Sequence, residues 1–425
     1  MIRIAGAKGC EDATVVWNML RALNREASQE ILVHGEADLH VGSERSNVAH
    51  AICGSPCCHH VTRSMSIAFT GEIYNVHILS RELRSKGHVL DTASTKKMIE
   101  ARRPVAMFSM AIGDHLIALP ALRALAANFN GRLALSCSPR AREIFFSDLS
   151  FRATYEIHGK TIRDVCETQS RKLVSIRFDV DSLVRQVSDC DLFVSLNAWH
   201  SPSVDQLLER LPDADSIGFF PSFDVELSHS HGRHAIDTTF EIPRFLNPSL
   251  RLEDYSAAPA ISPEIRQCVG AWRARLPASA KVLAVQVETR PSKMWPIKRF
   301  VRTLDRFLDN NREVIVIALG TRDLGLGEGE FGQRIVPCYN FYLPCAMAMV
   351  GAADLFFGID SCMLHVADLF RVPGLGLFGP SNCTEYGFRF APHRHICGPD
   401  QTMASIGETE VLDALESLYK EVSHL

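Results

Sequence analysis

Between Val282 and Phe378, four short apolar runs (Val282–Val287, Val314–Leu319, Leu355–Phe357 and Gly374–Phe378) alternate with stretches of helical periodicity (Ile297–Leu308, Leu343–Ala352 and Ser361–Phe370). Val411–Glu421 adds a closing helix. Parallel strands need a crossover, usually a helix, so this alternation predicts a parallel sheet flanked by helices. The same grammar begins earlier. Val105–Met110 reads as a strand, Gly113-Asp114 as a turn, and Leu116, Leu119, Leu122 and Leu125 as one helix face. Arg132–Ser136 and Leu192–Leu196 read as further strands. Two βαβ domains in tandem are therefore expected, at 104–259 and 260–425. Pro243, Pro248, Ser256, Pro259 and Pro263 read as the linker between them. The first 103 residues stand apart as a small α+β domain. Its expected helices are Thr14–Glu26 and Asn75–Lys86, its strand-like pieces Glu30–His34 and Met65–Phe69, and it ends before Pro104.

Composition narrows the function classes. Lys+Arg 45 against Asp+Glu 49 gives a net charge of −4, which argues against a dedicated nucleic-acid binder while leaving room for a local basic pocket. No apolar run reaches the length of a membrane span: the best, Leu343–Ala353, meets Asp354. The first residues lack the apolar core of a signal peptide, so the expected location is cytoplasmic. The 13 cysteines are then expected to be mostly free thiols, Cys383 and Cys397 among them.

In sheets of this kind ligands bind outside the carboxyl ends of strands. Four segments fall there. In Asp354–Ala367 a strand ends, a turn follows, and a helix begins near Ser361. Its first amides and its dipole make an anion site suited to a diphosphate. Asp360 or Ser361 can cap it, and His365 lies one turn in. A capped helix with a satisfied histidine explains the same pattern. Phe378-Gly379-Pro380-Ser381 runs from a strand into a turn, with backbone amides at its end. Glu288–Pro296 follows another strand and carries Ser292 and Lys293. That ammonium reads either as a solvated loop lysine or as a counter-charge for a departing diphosphate. Gly113 permits close backbone approach, and Asp114 reads either as a helix cap or as a general base.

Ala111–Arg123, Ser292-Lys293-Met294-Trp295-Pro296, Asp360-Ser361-Cys362-Met363-Leu364-His365-Val366-Ala367 and Phe378-Gly379-Pro380-Ser381 together resemble, in order, four motifs of the ADP-heptose:lipopolysaccharide heptosyltransferases, glycosyltransferase family 9. The resemblance spans roughly Val105 to His395. It implies a GT-B fold of two Rossmann-like domains and inverting sugar transfer from a nucleotide donor, with no cofactor and no obligatory metal. On it, Asp114 would be the base and Lys293 the leaving-group stabiliser. Asp360 would contact the donor sugar, and the amides of Ser361, Cys362 and Met363 with His365 would hold the diphosphate. Gly113, Ser292 and Gly379 would complete the donor site. Cys362 and Leu364 stand where the family has Gly and Ser, which bears on which donor is used.

The first block has a resemblance of its own. Ile67–Asn75, Leu79–His88 and Met1–Gly6 are similar to class II glutamine amidotransferases of the asparagine synthetase type. Ile2 stands in place of the nucleophilic cysteine and Thr70 in place of the oxyanion-hole Asn, so no thioester can form. This implies an inactive domain with a structural, acceptor-binding or homo-oligomerising role. Cys53, Cys57, Cys58, His59 and His60 have metal-ligating side chains, but no second cluster completes a familiar spacing, and a thiol-rich loop is the simpler reading. The expected partners are thus an ADP-heptose-like donor and a glycan or small-molecule acceptor, with neither nucleic acid nor an integral membrane segment. A glutamine-dependent amidotransferase fusion is disfavoured by Ile2. A non-catalytic nucleotide-sugar binder is the third reading.

Overall fold

A computed structural model describes residues 97–157, 177–198, 200–229 and 232–423 in full. It describes the backbone alone of strands at 3–8, 31–36, 39–44, 57–60, 66–68, 90–91, 160–165 and 172–176. The expected helices at 14–26 and 75–86 lie outside the described residues. The chain divides into two compact units that interleave along the sequence. The first comprises Met1–Ala106, Val180–Ser195 and Trp199–Ser228, the second Met107–Asp179, Leu196–Ala198 and His229–Leu425.

In chain order, β1 (Arg3–Lys8), β2 (Ile31–Glu36), β3 (Leu39–Glu44), β4 (Cys57–His60), β5 (Ser66–Ala68) and β6 (Leu90–Asp91) form one sheet in the order β2-β3-β1-β5-β4-β6, antiparallel at every pair. Next come β7 (Pro104–Met107), α1 (Ile112–Phe129), β8 (Ala134–Cys137), α2 (Pro139–Phe145), β9 (Thr154–Glu156), and the hairpin β10 (Lys160–Val165) and β11 (Lys172–Arg177). They are followed by α3 (Val180–Val187), β12 (Leu192–Ser195), α4 (Pro202–Glu209), β13 (Asp215–Gly218), β14 (Val225–Glu226) and α5 (Ala235–Leu246). In the first unit, β12 pairs with β13 and β13 with β14, both parallel. In the second, β8 and β9 are parallel.

The rest of the second unit is α6 (Pro263–Arg273), β15 (Lys281–Gln286), α7 (Ile297–Asn310), β16 (Val314–Gly320), β17 (Ile335–Tyr339), α8 (Leu343–Gly351), β18 (Leu355–Ile359), α9 (Cys362–Leu369), β19 (Gly374–Phe378), α10 (Cys383–Tyr386), β20 (His393–Cys397) and α11 (Glu408–Ser423). Its sheet has the order β17-β16-β15-β18-β19-β20 and is parallel throughout. Chain order runs one way from β15 and then jumps to its other side at β18. The crevice between the carboxyl ends of β15 and β18 is the topological switch point, where open parallel sheets bind ligands. Register brings these ends level: Gln286 pairs with Gly358, and Ile359 with Leu377.

Amphipathic helices cover this sheet. Phe300, Leu304, Phe307 and Leu308 recur at helical spacing on α7, and Val411, Leu412, Leu415, Leu418 and Tyr419 on α11; all are buried in one core with Val285, Phe357 and Leu377. Phe307 and Tyr419 meet edge to face, ring centroids 5.5 Å apart.

Two expectations are corrected. Pro243 lies inside α5, and Pro263 starts α6 behind a Ser262 cap, so helix occupies both ends of the expected linker. The α5 proline is tolerated because it sits in the last turn, where its carbonyl still accepts from Asn247 N–H at 2.9 Å. Cys383 and Cys397 are bridged as a disulfide, because α10 and β20 bring together two cysteines that are 14 residues apart. Among the described residues no helix is long and apolar enough to cross a membrane.

Candidate functional site

All residues of this site belong to the second unit. Its floor is the first turn of α9. Ser361 occupies the N-cap with extended backbone, and no side chain caps the helix. The Ser361 hydroxyl is buried without a hydrogen-bond partner. The uncapped turn keeps its amide donors and positive dipole end free for an anion. Cys362 is partly buried, while Met363 is buried at 7 % exposure and presents its backbone here, its side chain belonging to the core. Burial, followed by the nearby Asp114 carboxylate, pushes the Cys362 thiol up to about 12. Burial lowers His365 to about 4, so the ring is neutral at physiological pH.

Asp360, at the carboxyl end of β18, is 6 % exposed and forms an ion pair with Lys293, 67 residues earlier. Burial raises the Asp360 pKa, but Lys293 and then His365 outweigh it and hold the carboxyl below its ordinary range. Lys293 ends a 3-10 turn (291–293) after β15, so the pair spans the switch point. The solvated-lysine reading is thereby replaced. Trp295, two residues on, anchors the turn. It is 1 % exposed, packs edge to face on Phe300 at 4.9 Å, and donates its Nε1–H to Ile406 O at 3.2 Å. Ser292 is exposed on the same turn.

The start of α1 meets α9 at Gly113. A Cβ added there would lie 3.5 Å from both Cys362 Cα and His365 Cδ2. Asp114 is the third residue of α1 and accepts a hydrogen bond from Ala111 N–H at 3.2 Å, so it does serve as a cap. Its carboxyl is nevertheless raised to about 6. Burial is the main cause, Asp360 adds to it, and Ala111, Lys293 and Arg290 oppose it. A carboxyl poised there is ionised at neutral pH yet basic enough to take a proton. His115 faces the core, stacked on Phe145 at 5.5 Å, and its Nδ1–H donates to Ala111 O at 2.9 Å. Gly379 is buried, and a Cβ there would come within 2.7 Å of Met403 N, so close packing of the 402–406 segment already requires glycine.

Sequence reasoning missed Tyr386 on α10. Burial, then the carboxylates of Asp114, Glu385 and Asp360, raises its phenol well above the ordinary range. No motif marked it; a Tyr-Gly pair closing a short turn was the only signal.

Arg3–Lys8 and Ser66–Ala68 are strands, but the other residues behind the amidotransferase resemblance, and the side chains of Cys53, Cys57, Cys58, His59 and His60, lie outside the described residues. Among the described residues no group of three or more His, Cys, Asp or Glu side chains is arranged to hold a metal. A cavity of about 620 Å³ in the first unit is lined by Lys97, Asp205, Glu209, Asp213, Asp215 and Asp224 among others. Carboxylates predominate in it, which disfavours an anionic ligand.

Comparison with known proteins bears on the same residues. The family model for glycosyltransferase family 9 (heptosyltransferase) matches residues 252–415, which hold Lys293, Asp360 and His365. Residues 252–415 are a glycosyltransferase family 9 domain. The chain is therefore an enzyme of the glycosyltransferase class. A glycosyl transferase family 9 structure from Veillonella parvula is similar at 18 % identity and TM-score 0.58, over 75 % of this chain and 97 % of that one. The ADP-heptose lps heptosyltransferase II of E. coli is similar at 14 % identity and TM-score 0.55, over 76 % and 99 %. E. coli heptosyltransferase WaaC with ADP gives 14 % and 0.50, over 74 % and 99 %. These likenesses show the fold: two parallel-sheet α/β domains of the GT-B type. No curated protein sequence matches the chain. None of the comparisons supports the amidotransferase reading of the first block.

Proposed function

We propose that this glycosyltransferase moves a heptose from an ADP-heptose-like donor to an acceptor hydroxyl, with inversion, in a GT-B arrangement of an acceptor domain at 104–259 and a donor domain at 260–425. The observation that carries the reading is that the start of α1, with Gly113 and Asp114, lies against the uncapped first turn of α9, with Lys293 and Asp360 acting on the same carboxyl. A base, an anion site and a cation thus act within one locus.

In this reading the acceptor oxygen attacks the anomeric carbon while its proton passes to the Asp114 carboxylate. The bond from that carbon to the diphosphate oxygen breaks, and its electron pair leaves with the diphosphate. Lys293 and the Ser361, Cys362 and Met363 amides stabilise the growing charge. His365, neutral, offers a ring N–H. Asp360 orients Lys293 and hydrogen-bonds sugar hydroxyls, while Ser292, Gly113 and Gly379 border the donor. The charged donor does not cross a bilayer unaided, so the reading places the enzyme in the cytoplasm.

The test is transfer itself. Purified protein is given ADP-heptose, UDP-glucose or GDP-mannose with a panel of glycan and small-molecule hydroxyl acceptors, and free nucleotide and glycoside are followed. ADP-heptose should give the fastest nucleotide release. Equal inactivity with every donor, in protein shown to be folded, would overturn the reading.

A further inference from the structure

His115 is a polar residue in an apolar place. Its ring is 3 % exposed and lies among Phe108, Phe145 and Phe146, with centroids 5.0, 5.5 and 5.9 Å away. Nδ1–H donates to Ala111 O at 2.9 Å, while Nε2 is buried with no hydrogen-bond partner among the described residues. Burial lowers the ring to about 4, so at physiological pH it is neutral and Nε2 is a bare acceptor among aromatic carbons. An unsatisfied buried acceptor is destabilising, and a phenylalanine would keep the ring contacts without it. Packing alone therefore does not call for histidine here.

What the histidine adds is one hydrogen bond, placed beside the base. Ala111 is the N-cap of α1, and alanine has no side-chain oxygen to cap a helix. Residues of the first turn hold Ala111 instead. Its N–H donates to the Asp114 carboxylate at 3.2 Å, and its O accepts from His115 Nδ1–H at 2.9 Å and from Asp114 N–H at 3.0 Å. The chain just before it is anchored. Phe108 N–H donates to Ser136 O at 2.9 Å, and Ser109 N–H donates to Asn197 Oδ1 at 3.1 Å. Only Met110 lies between that anchorage and Ala111, so His115 fixes the far end of a short loop whose near end is already fixed.

We propose that His115 is a positioning residue that acts through Ala111 to hold the Asp114 carboxylate in its transfer geometry. The assignment rests on the transfer reading above, in which Asp114 is the base. His115 itself touches no substrate and moves no proton.

Two variants separate this role from packing. His115→Phe keeps an aromatic ring and removes Nδ1–H. His115→Asn keeps an N–H donor at the place of Nδ1 and removes the rest of the ring. With ADP-heptose as the probe donor, His115→Phe should lose about tenfold to a hundredfold in kcat, as a displaced catalytic group does. Its melting temperature should match or exceed that of wild type, and ADP affinity by calorimetry should be unchanged. Ala111 N–H lowers the Asp114 pKa, while Asp360, Lys293 and Arg290, the charged groups acting on that carboxyl, are untouched. Loosening Ala111 should therefore move the acidic limb of kcat/KM to higher pH. His115→Asn should recover most of kcat and the wild-type limb while melting lower, because it leaves a cavity. A merely structural histidine would give the reverse order, with activity following stability. Wild-type kcat and limb in His115→Phe, beside an active wild type, overturn the His115 assignment alone. So does an equal loss in both variants. A wild type that transfers nothing overturns the transfer reading and this one with it.

Discussion

The carboxyl of Asp114, raised to about 6, makes the pH dependence of transfer a direct report on the site. If its carboxylate takes the acceptor proton, the active fraction is about a tenth at pH 5 and about nine-tenths at pH 7, and kcat/KM falls about tenfold per unit below pH 6. His365 and His115, both lowered to about 4, are neutral across this window and leave the limb to Asp114.

Two substitutions should move that limb in opposite directions. Burial sets most of the rise, but Asp360 adds to it and Lys293 opposes it. Lys293→Met removes the cation and leaves Asp360 uncompensated, so the limb moves to higher pH. Asp360→Asn removes the like charge and leaves Lys293 unpaired, so it moves lower. Both charges act on Asp114 less than burial does, so each shift should be smaller than the whole rise, roughly half a unit to one unit, or about 1 kcal/mol. The assay is kcat/KM for nucleotide release from pH 5 to 8 in buffers of constant ionic strength. Damage to the shared ion pair alone would affect both variants alike. Movement of both limbs in one direction, or a flat wild-type profile, refutes the assignment of Asp114 as the base.

Trp295→Ala should lower stability by about 3–5 kcal/mol, because it empties a fully buried site, Ile406 O keeping Arg299 as a donor; a guanidinium melt showing a loss below about 1 kcal/mol would contradict the anchoring role. Cys362, pushed up to about 12, should resist iodoacetamide at pH 8, reacting on the order of a thousandfold more slowly than an ordinary thiol, whereas exposed Cys268 should label; mass mapping that finds Cys362 alkylated alongside Cys268 would refute its burial.

How much of this was legible in the sequence depended on burial. β15, β16, β18 and β19 lie inside the sheet, and their near-continuous apolar runs gave their positions to within a residue or two. β17 and β20 are its edges. β17 contains Pro337, and β20 begins His393-Arg394-His395, so neither shows the apolar run of a central strand. α5 was hidden because Pro243 reads as a breaker unless its place in the last turn is known. Of the site, Asp114, Lys293, Asp360 and His365 were legible as motif residues at strand ends and helix starts. The Lys293–Asp360 pair was not, since 67 residues separate partners that meet only when β15 and β18 lie side by side. Tyr386 and the Cys383–Cys397 bridge were missed because both depend on how α10 folds against β20.

The central claim is that one carboxylate drives chemistry beside a diphosphate site that binds without it. Asp114→Asn keeps the size and the Ala111 contact while removing the basic oxygen. Measured side by side on one preparation, calorimetric ADP binding should stay within about twofold of wild type, while ADP release from ADP-heptose in the presence of acceptor should fall by at least about a hundredfold. Release at the wild-type rate, or ADP affinity lost in step with activity, would contradict the account.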